Sequence, residues 1–185
     1  MKGLSCGIVL ILTMVALSLG CGDQSTRPSD LPESQESPNV LGAAGQSATL
    51  KGGDRNFAAP LSGRQEVPSV DSKGTGVATF KLSKDGSEMR YKLNVANIEN
   101  VTQAHIHLAP AGQNGSVVAF LFGFVAGGVT VNGTLAEGTL TAGNLIGPLA
   151  GLSLDDLVKE MASGDAYVNV HTVAHPPGEI RGQVK

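Results

Sequence analysis

Little in this chain announces chemistry. Among its 185 residues there is no tryptophan, there are two cysteines and four histidines, and aromatic residues make up 4 %. Each shortage excludes something. Cys6 lies inside an N-terminal apolar stretch and Cys21 just after it, so the chain has no disulfide framework of the kind that staples small exported domains, and its stability has to come from an apolar core. Thirteen basic residues stand against 16 acids, for a formal net charge of −3. No basic cluster occurs that would neutralise a run of phosphates, which removes the electrostatic footing for nucleic-acid binding. The apolar stretch at 8–19 is shorter than the roughly 20 residues a membrane-spanning helix needs. No G-x-S-x-G, Walker, H-E-x-x-H or cysteine-nucleophile pattern occurs, so no residue is assigned a catalytic role and an enzyme is not the expected reading.

What the N-terminus does contain is a positive start at Met1-Lys2, the apolar stretch, and small residues before Cys21. That is the layout of a secretory signal. The segment Leu17-Ser18-Leu19-Gly20-Cys21 resembles the lipobox of bacterial lipoproteins, although Ser18 stands where that motif most often has leucine. The resemblance implies a signal peptide over 1–20 and a lipid attached to Cys21, which would tie the protein to a membrane. Gly22, in place of the aspartate that usually retains lipoproteins at the inner membrane, points outward to the outer membrane or cell surface. Residues 21–55 are rich in Ser, Pro, Gln, Gly and Asp with few large apolar side chains, a composition that buries too little to offset ordering entropy and reads as a flexible tether. Fully extended at ~3.3 Å per residue, it reaches on the order of 100 Å.

The folded part is expected over 56–185, one domain by size. Gly, Val, Ala, Thr and Leu dominate it, which suits short strands and tight turns. Strands are expected at 56–63, with Pro60 placing the first at an edge or bulge, then at 76–83 and 88–97 around the hairpin signal Lys84-Asp85-Gly86. Further strands follow at 101–108, 116–122, a pair within 127–141, and finally 166–172 and 179–184. Between the last two groups, Ser153 as N-cap, acids at 155 and 156, and Gly164 after the last turn predict one short helix burying Leu154, Leu157, Val158 and Met161. The fold class is all-β: an antiparallel sandwich, Greek-key-like and with a superoxide-dismutase-like option, carrying one inserted helix.

Four strings then carry a family likeness: LSGRQEVPSVDSKGTGVATF, AHIHLAPAGQNGSVV, LTAGNLIGPLAG, and the closing YVNVHT followed by PPGEIRGQV. In that order they make the domain similar to the CHRD family, the module repeated in chordin and found alone in many exported bacterial proteins. The resemblance implies a β-rich, non-enzymatic binding or interaction module. The growth-factor partner of chordin does not carry over to a bacterial lipoprotein; a protein or an envelope polymer is the expected class of ligand.

All four histidines fall in two segments, 104–118 and 167–184. Strand alternation puts His105 and His107 on one side with Ala104 and Ile106 opposite, and Tyr167, Asn169 and His171 on one side with Val168 and Val170 opposite. If the strands are neighbours, His105, His107 and His171 are the ligand inventory of a three-histidine zinc or copper site with one open position. Such a protein would be a metal carrier or a redox enzyme. Copper-zinc superoxide dismutases also carry an H-x-H on a sandwich strand, but this chain lacks their disulfide cysteines and the rest of their metal loop. The alternative is that the rings satisfy backbone groups at turns. His175, before Pro176-Pro177, is expected at the surface. Glu179 and Arg181, on one side of the last strand, are expected as a structural ion pair.

Overall fold

A computed structural model describes residues 55–185; the expected signal at 1–20, Cys21 and all but the end of the 21–55 tether lie outside the described residues. Eight strands and one helix follow in chain order: β1 (Asn56–Ser62), β2 (Thr75–Leu82), β3 (Met89–Ala96), β4 (Val101–Leu108), β5 (Ser116–Phe122), β6 (Gly133–Leu140), α1 (Leu154–Ser163), β7 (Ala166–Thr172) and β8 (Ile180–Gln183). They form one sheet in the order β5-β4-β7-β8-β1-β2-β3-β6. The sheet curls until its two end strands, β5 and β6, touch, and Tyr91 of β3 donates its hydroxyl to the Leu121 carbonyl of β5 at 2.8 Å. The result is a nearly closed, flattened barrel, all-β with one helix as the sequence predicts.

Period-two alternation fills the inside. Phe57 and Leu61 of β1, Phe80 and Leu82 of β2, Met89, Leu93 and Val95 of β3, Ile106 of β4, and Val168 and Val170 of β7 all bury their side chains there. The β2–β3 hairpin turns at Asp85, whose carboxylate accepts from the Ser83 hydroxyl and from the Ser87 amide and hydroxyl, with Gly86 supplying a positive φ of 76°. Helix α1 starts where expected, with the Asp156 carboxylate accepting from the Ser153 amide and hydroxyl, and stops at Gly164 in the left-handed conformation. Its buried residues are Leu154, Leu157, Val158 and Met161.

Two expectations need correction. Residues 127–141 hold one strand rather than a pair, because Gly127 and Gly128 both take positive φ and turn the chain, so that Val129 makes a lone bridge to Val101. Pro60 is not at an edge: β1 lies inside the sheet between β8 and β2. The proline is tolerated because the ladder toward the C-terminal strand is broken there. Pairing is made at Ser62–Arg181 and again by mutual backbone bonds between Ala58 and Lys185 at 2.9 Å. Gly182 passes so near the Pro60 carbonyl that a Cβ would lie 2.4 Å from it.

Candidate metal centre

The register of the central strands lines up His107, Tyr167 and Gln183 in one row across β4, β7 and β8, and His105, Asn169 and Arg181 in the next. Gln103 sits beside His171 in the same ladder. Ala104, Ile106, Val168, Val170 and Ile180 point the other way into the core. The outer face of this patch is therefore polar throughout, and such a face of an antiparallel sheet is ordinarily wet. Here it is covered. His105, His107 and His171 are 4 %, 8 % and 7 % exposed, and Asn169 and Arg181 are equally enclosed. The cover is three loops, linked by Asn114 donating to the Val67 carbonyl, Asn169 donating to Glu66, and a His171–Pro176 bond.

The three histidines are brought together as the alternation argument requires, with one nitrogen from each lying within 4.8 Å of the others. Their hydrogen bonds fix which nitrogens are free. His107 Nδ1 is 3.0 Å from the Gly115 carbonyl and His171 Nδ1 is 2.8 Å from the Pro176 carbonyl. A carbonyl only accepts, so both rings carry their proton on Nδ1 and present a bare Nε2. His171 Nε2 is 3.1 Å from His105 Nδ1, which assigns the remaining proton to that nitrogen. The Nε2 atoms of His105 and His107 are buried with no partner.

Side contacts hold the rings in place. His107 stacks on Tyr167 with ring centres 4.8 Å apart and planes at 11°, and Phe120 meets His105 edge-on at 4.6 Å. Burial, reinforced by the neighbouring rings of His171 and His107, holds His105 down to about 4, and burial also lowers His107 and His171. All three are thus neutral near pH 7, the form that binds a metal without first shedding a charge. Two nitrogens bound at ~2.0–2.1 Å around a tetrahedral ion stand about 3.3 Å apart, and the His105–His171 separation of 3.1 Å already meets that. Zinc or copper there would be held by His105 Nδ1 and His171 Nε2, with the His105 proton moved to its Nε2. Backbone carbonyls behind His107 and His171 supply the outer-shell acceptors that orient metal-bound imidazoles.

Glu179 and Arg181 are not paired with each other. The Glu179 carboxylate accepts from the Ser72 and Thr172 hydroxyls, both at 2.7 Å, while Arg181 reaches Asn114 at 3.2 Å. Alternation puts both side chains near the same face, but each finds a nearer partner from the covering loops. Glu66, a loop residue with no periodic signal, is the acid that enters the site: burial raises it to about 7, against the opposing pull of Arg181 and Asn169. A cavity of about 380 Å³ opens beside it, walled by Glu66, Val67, His107, Asn114, Tyr167 and Asn169. His175, half-buried rather than fully at the surface, also lines it. A wider cleft of about 600 Å³ around Asp71, Asn97 and Thr130 contains none of the three clustered histidines.

This arrangement fixes the acid response of the metal-free protein. The unfolded chain binds histidine protons near 6.5, whereas folded His105 refuses one until about 4. Between those values the unfolded state holds more protons, so stability falls as pH drops through the window. Glu66 acts oppositely, since its folded form takes up a proton at about 7 and its unfolded form at 4.5. Three histidines outweigh one acid, and the urea midpoint is expected to decline from pH 6.5 to 4.5. A midpoint that holds or rises over that range would contradict the neutral assignment.

Compared with known proteins, residues 57–184 match the family model described as the CHRD domain. No curated protein matches the chain.

Proposed function

The chain belongs to the CHRD family, and from that premise we propose that it is a non-catalytic binding module of the cell envelope, held by a lipid on Cys21, whose covered polar face carries one zinc or copper ion on His105, His107 and His171. The observation that supports the metal is the set of neutral imidazoles with one nitrogen from each within 4.8 Å of the others, two of the rings locked by backbone carbonyls. Burying this much polar surface costs stability that apolar residues of similar size would not, and a bound ion gives that cost a purpose. Three protein ligands leave a fourth position for an outside group, the arrangement of an open zinc or copper site.

The full chain, purified without chelator or affinity tag, is expected to contain one zinc or copper per molecule by elemental analysis, and His107→Ala to contain none. Protein that arrives empty and takes up neither Zn²⁺ nor Cu²⁺ in titration would remove the metal from this reading. The anchor is tested separately: Cys21→Ser is expected to lose palmitate label and leave the membrane fraction. A wild-type chain that never takes the label would show the module to be exported without an anchor.

A further inference from the structure

Arg181 is 1 % exposed, and the ion pairs among the described residues, Lys92–Glu137 and Lys159–Asp156, do not include it. Its guanidinium lies 3.4 Å over the Tyr167 ring and donates only long bonds to neutral oxygens: Asn114 Oδ1 at 3.2 Å, the Pro110 carbonyl at 3.4 Å and Gln183 Oε1 at 3.5 Å. A buried cation matched this poorly is costly unless an anion completes it. One of those acceptors is replaceable. Asn114 is exposed and walls the 380 Å³ cavity, so it links that cavity to the guanidinium, which does not itself line it.

The same cavity has a second, opposite deficiency. Glu66 Oε1 and Asn169 Oδ1 are buried without partners, on residues that also line it. Both atoms lie within 2.8 Å of where a Cβ on Gly178 would stand, which places them together under that glycine. The cavity therefore sets acceptors lacking a donor beside Asn114, the acceptor of a cation that feels the charge of Glu66 but makes no ion pair, at a volume suited to a small molecule.

We propose that this cavity binds a small carboxylate bearing a hydroxyl or amino group on the adjacent carbon. The carboxylate takes the place of Asn114 Oδ1 on Arg181, and the hydroxyl or amine donates to Glu66 Oε1. The binding groups are in place without an ion, so the proposal shares a cavity with the metal reading but does not depend on it.

The test uses the metal-free full chain with glycolate and acetate as probes, read by titration calorimetry and by the thermal midpoint. Glycolate is expected to bind about tenfold more tightly than acetate, the worth of one hydrogen bond to a buried acceptor. Asn114→Asp fills the anion position from within; it is expected to weaken both probes about tenfold or more while raising the midpoint of the unliganded protein. Glu66→Ala is expected to bring glycolate down to the level of acetate. If that variant does not fold, the wild-type ratio and Asn114→Asp decide the matter alone. No binding of either probe, equal affinity for both, or an Asn114→Asp variant that binds as wild type would overturn the proposal. A chain that holds metal but not glycolate sinks this inference only, and one that holds glycolate but no metal sinks the histidine reading only.

Discussion

Replacing His171 with alanine is expected to lower zinc or copper affinity by more than about 100-fold, beyond the 10–100-fold that loss of an outer-shell partner costs. Of the three proposed ligands, His171 has the least freedom to be replaced. Its Nδ1 is fixed to the Pro176 carbonyl at 2.8 Å and its Nε2 faces His105 at 3.1 Å, so no neighbouring side chain can supply that nitrogen by a rotamer change. The measurement is a pair of thermal melts with and without excess Zn²⁺. An ion that binds only the folded state stabilises it by about 2.7 kcal/mol at 100 times its dissociation constant, and wild type should show the corresponding rise where His171→Ala shows none. The variant also melts lower than wild type when both are metal-free, because His105 Nδ1 loses its acceptor in a buried setting, a cost of about 1–3 kcal/mol. Were the rings only structural, the metal-free loss would appear but Zn²⁺ would leave the wild-type midpoint unmoved.

The part of this site that was legible in the sequence is the part written in local periodicity. Alternation along β4 and β7 sends His105, His107 and His171 to one face whatever the rest of the chain does, and the cap residues Ser153 and Gly164 delimit α1 because capping chemistry is decided within a turn or two. Adjacency of β4 and β7 was a condition of the metal reading that alternation itself does not settle. Glu66 and Asn114 were beyond reach, since each sits on a loop whose place over the sheet depends on bonds to residues far along the chain, 103 positions away for Glu66 and Asn169. The same non-locality separates Glu179 from Arg181. A shared face suggested a pair, but Ser72 and Asn114, brought in by different loops, compete successfully for the two side chains. Pro60 misled for a related reason: its missing amide argues for an unpaired side, and the structure provides one locally, inside the sheet, by breaking the β1–β8 ladder between Ser62–Arg181 and Ala58–Lys185.

The second large effect is expected at Gly115, where fold and site meet in one residue. A Cβ there would stand 1.7 Å from the Leu108 carbonyl oxygen, 2.5 Å from its carbon and 2.9 Å from the Ala109 Cβ. Backbone offers no rotamer to relieve such an overlap, so Gly115→Ala has to displace the turn between β4 and β5, at a cost of about 3 kcal/mol or more. That displacement reaches the site directly. The Gly115 carbonyl accepts from His107 Nδ1 at 3.0 Å, and its amide donates to the Tyr167 hydroxyl at 3.1 Å, with the Tyr167 ring stacked on His107. Loss of the carbonyl frees His107 to change tautomer and orientation, and metal affinity is expected to fall about 10–100-fold along with stability. Gly112→Ala, three residues earlier in the same turn, separates the two causes. Its φ of +82° makes alanine strained there, but no atom lies within 4 Å of the new Cβ. It is expected to lose about 1–2 kcal/mol and to keep its metal. If Gly112→Ala and Gly115→Ala lose metal in equal measure, the carbonyl behind His107 is not what orients the ring, and general loosening of the turn accounts for both.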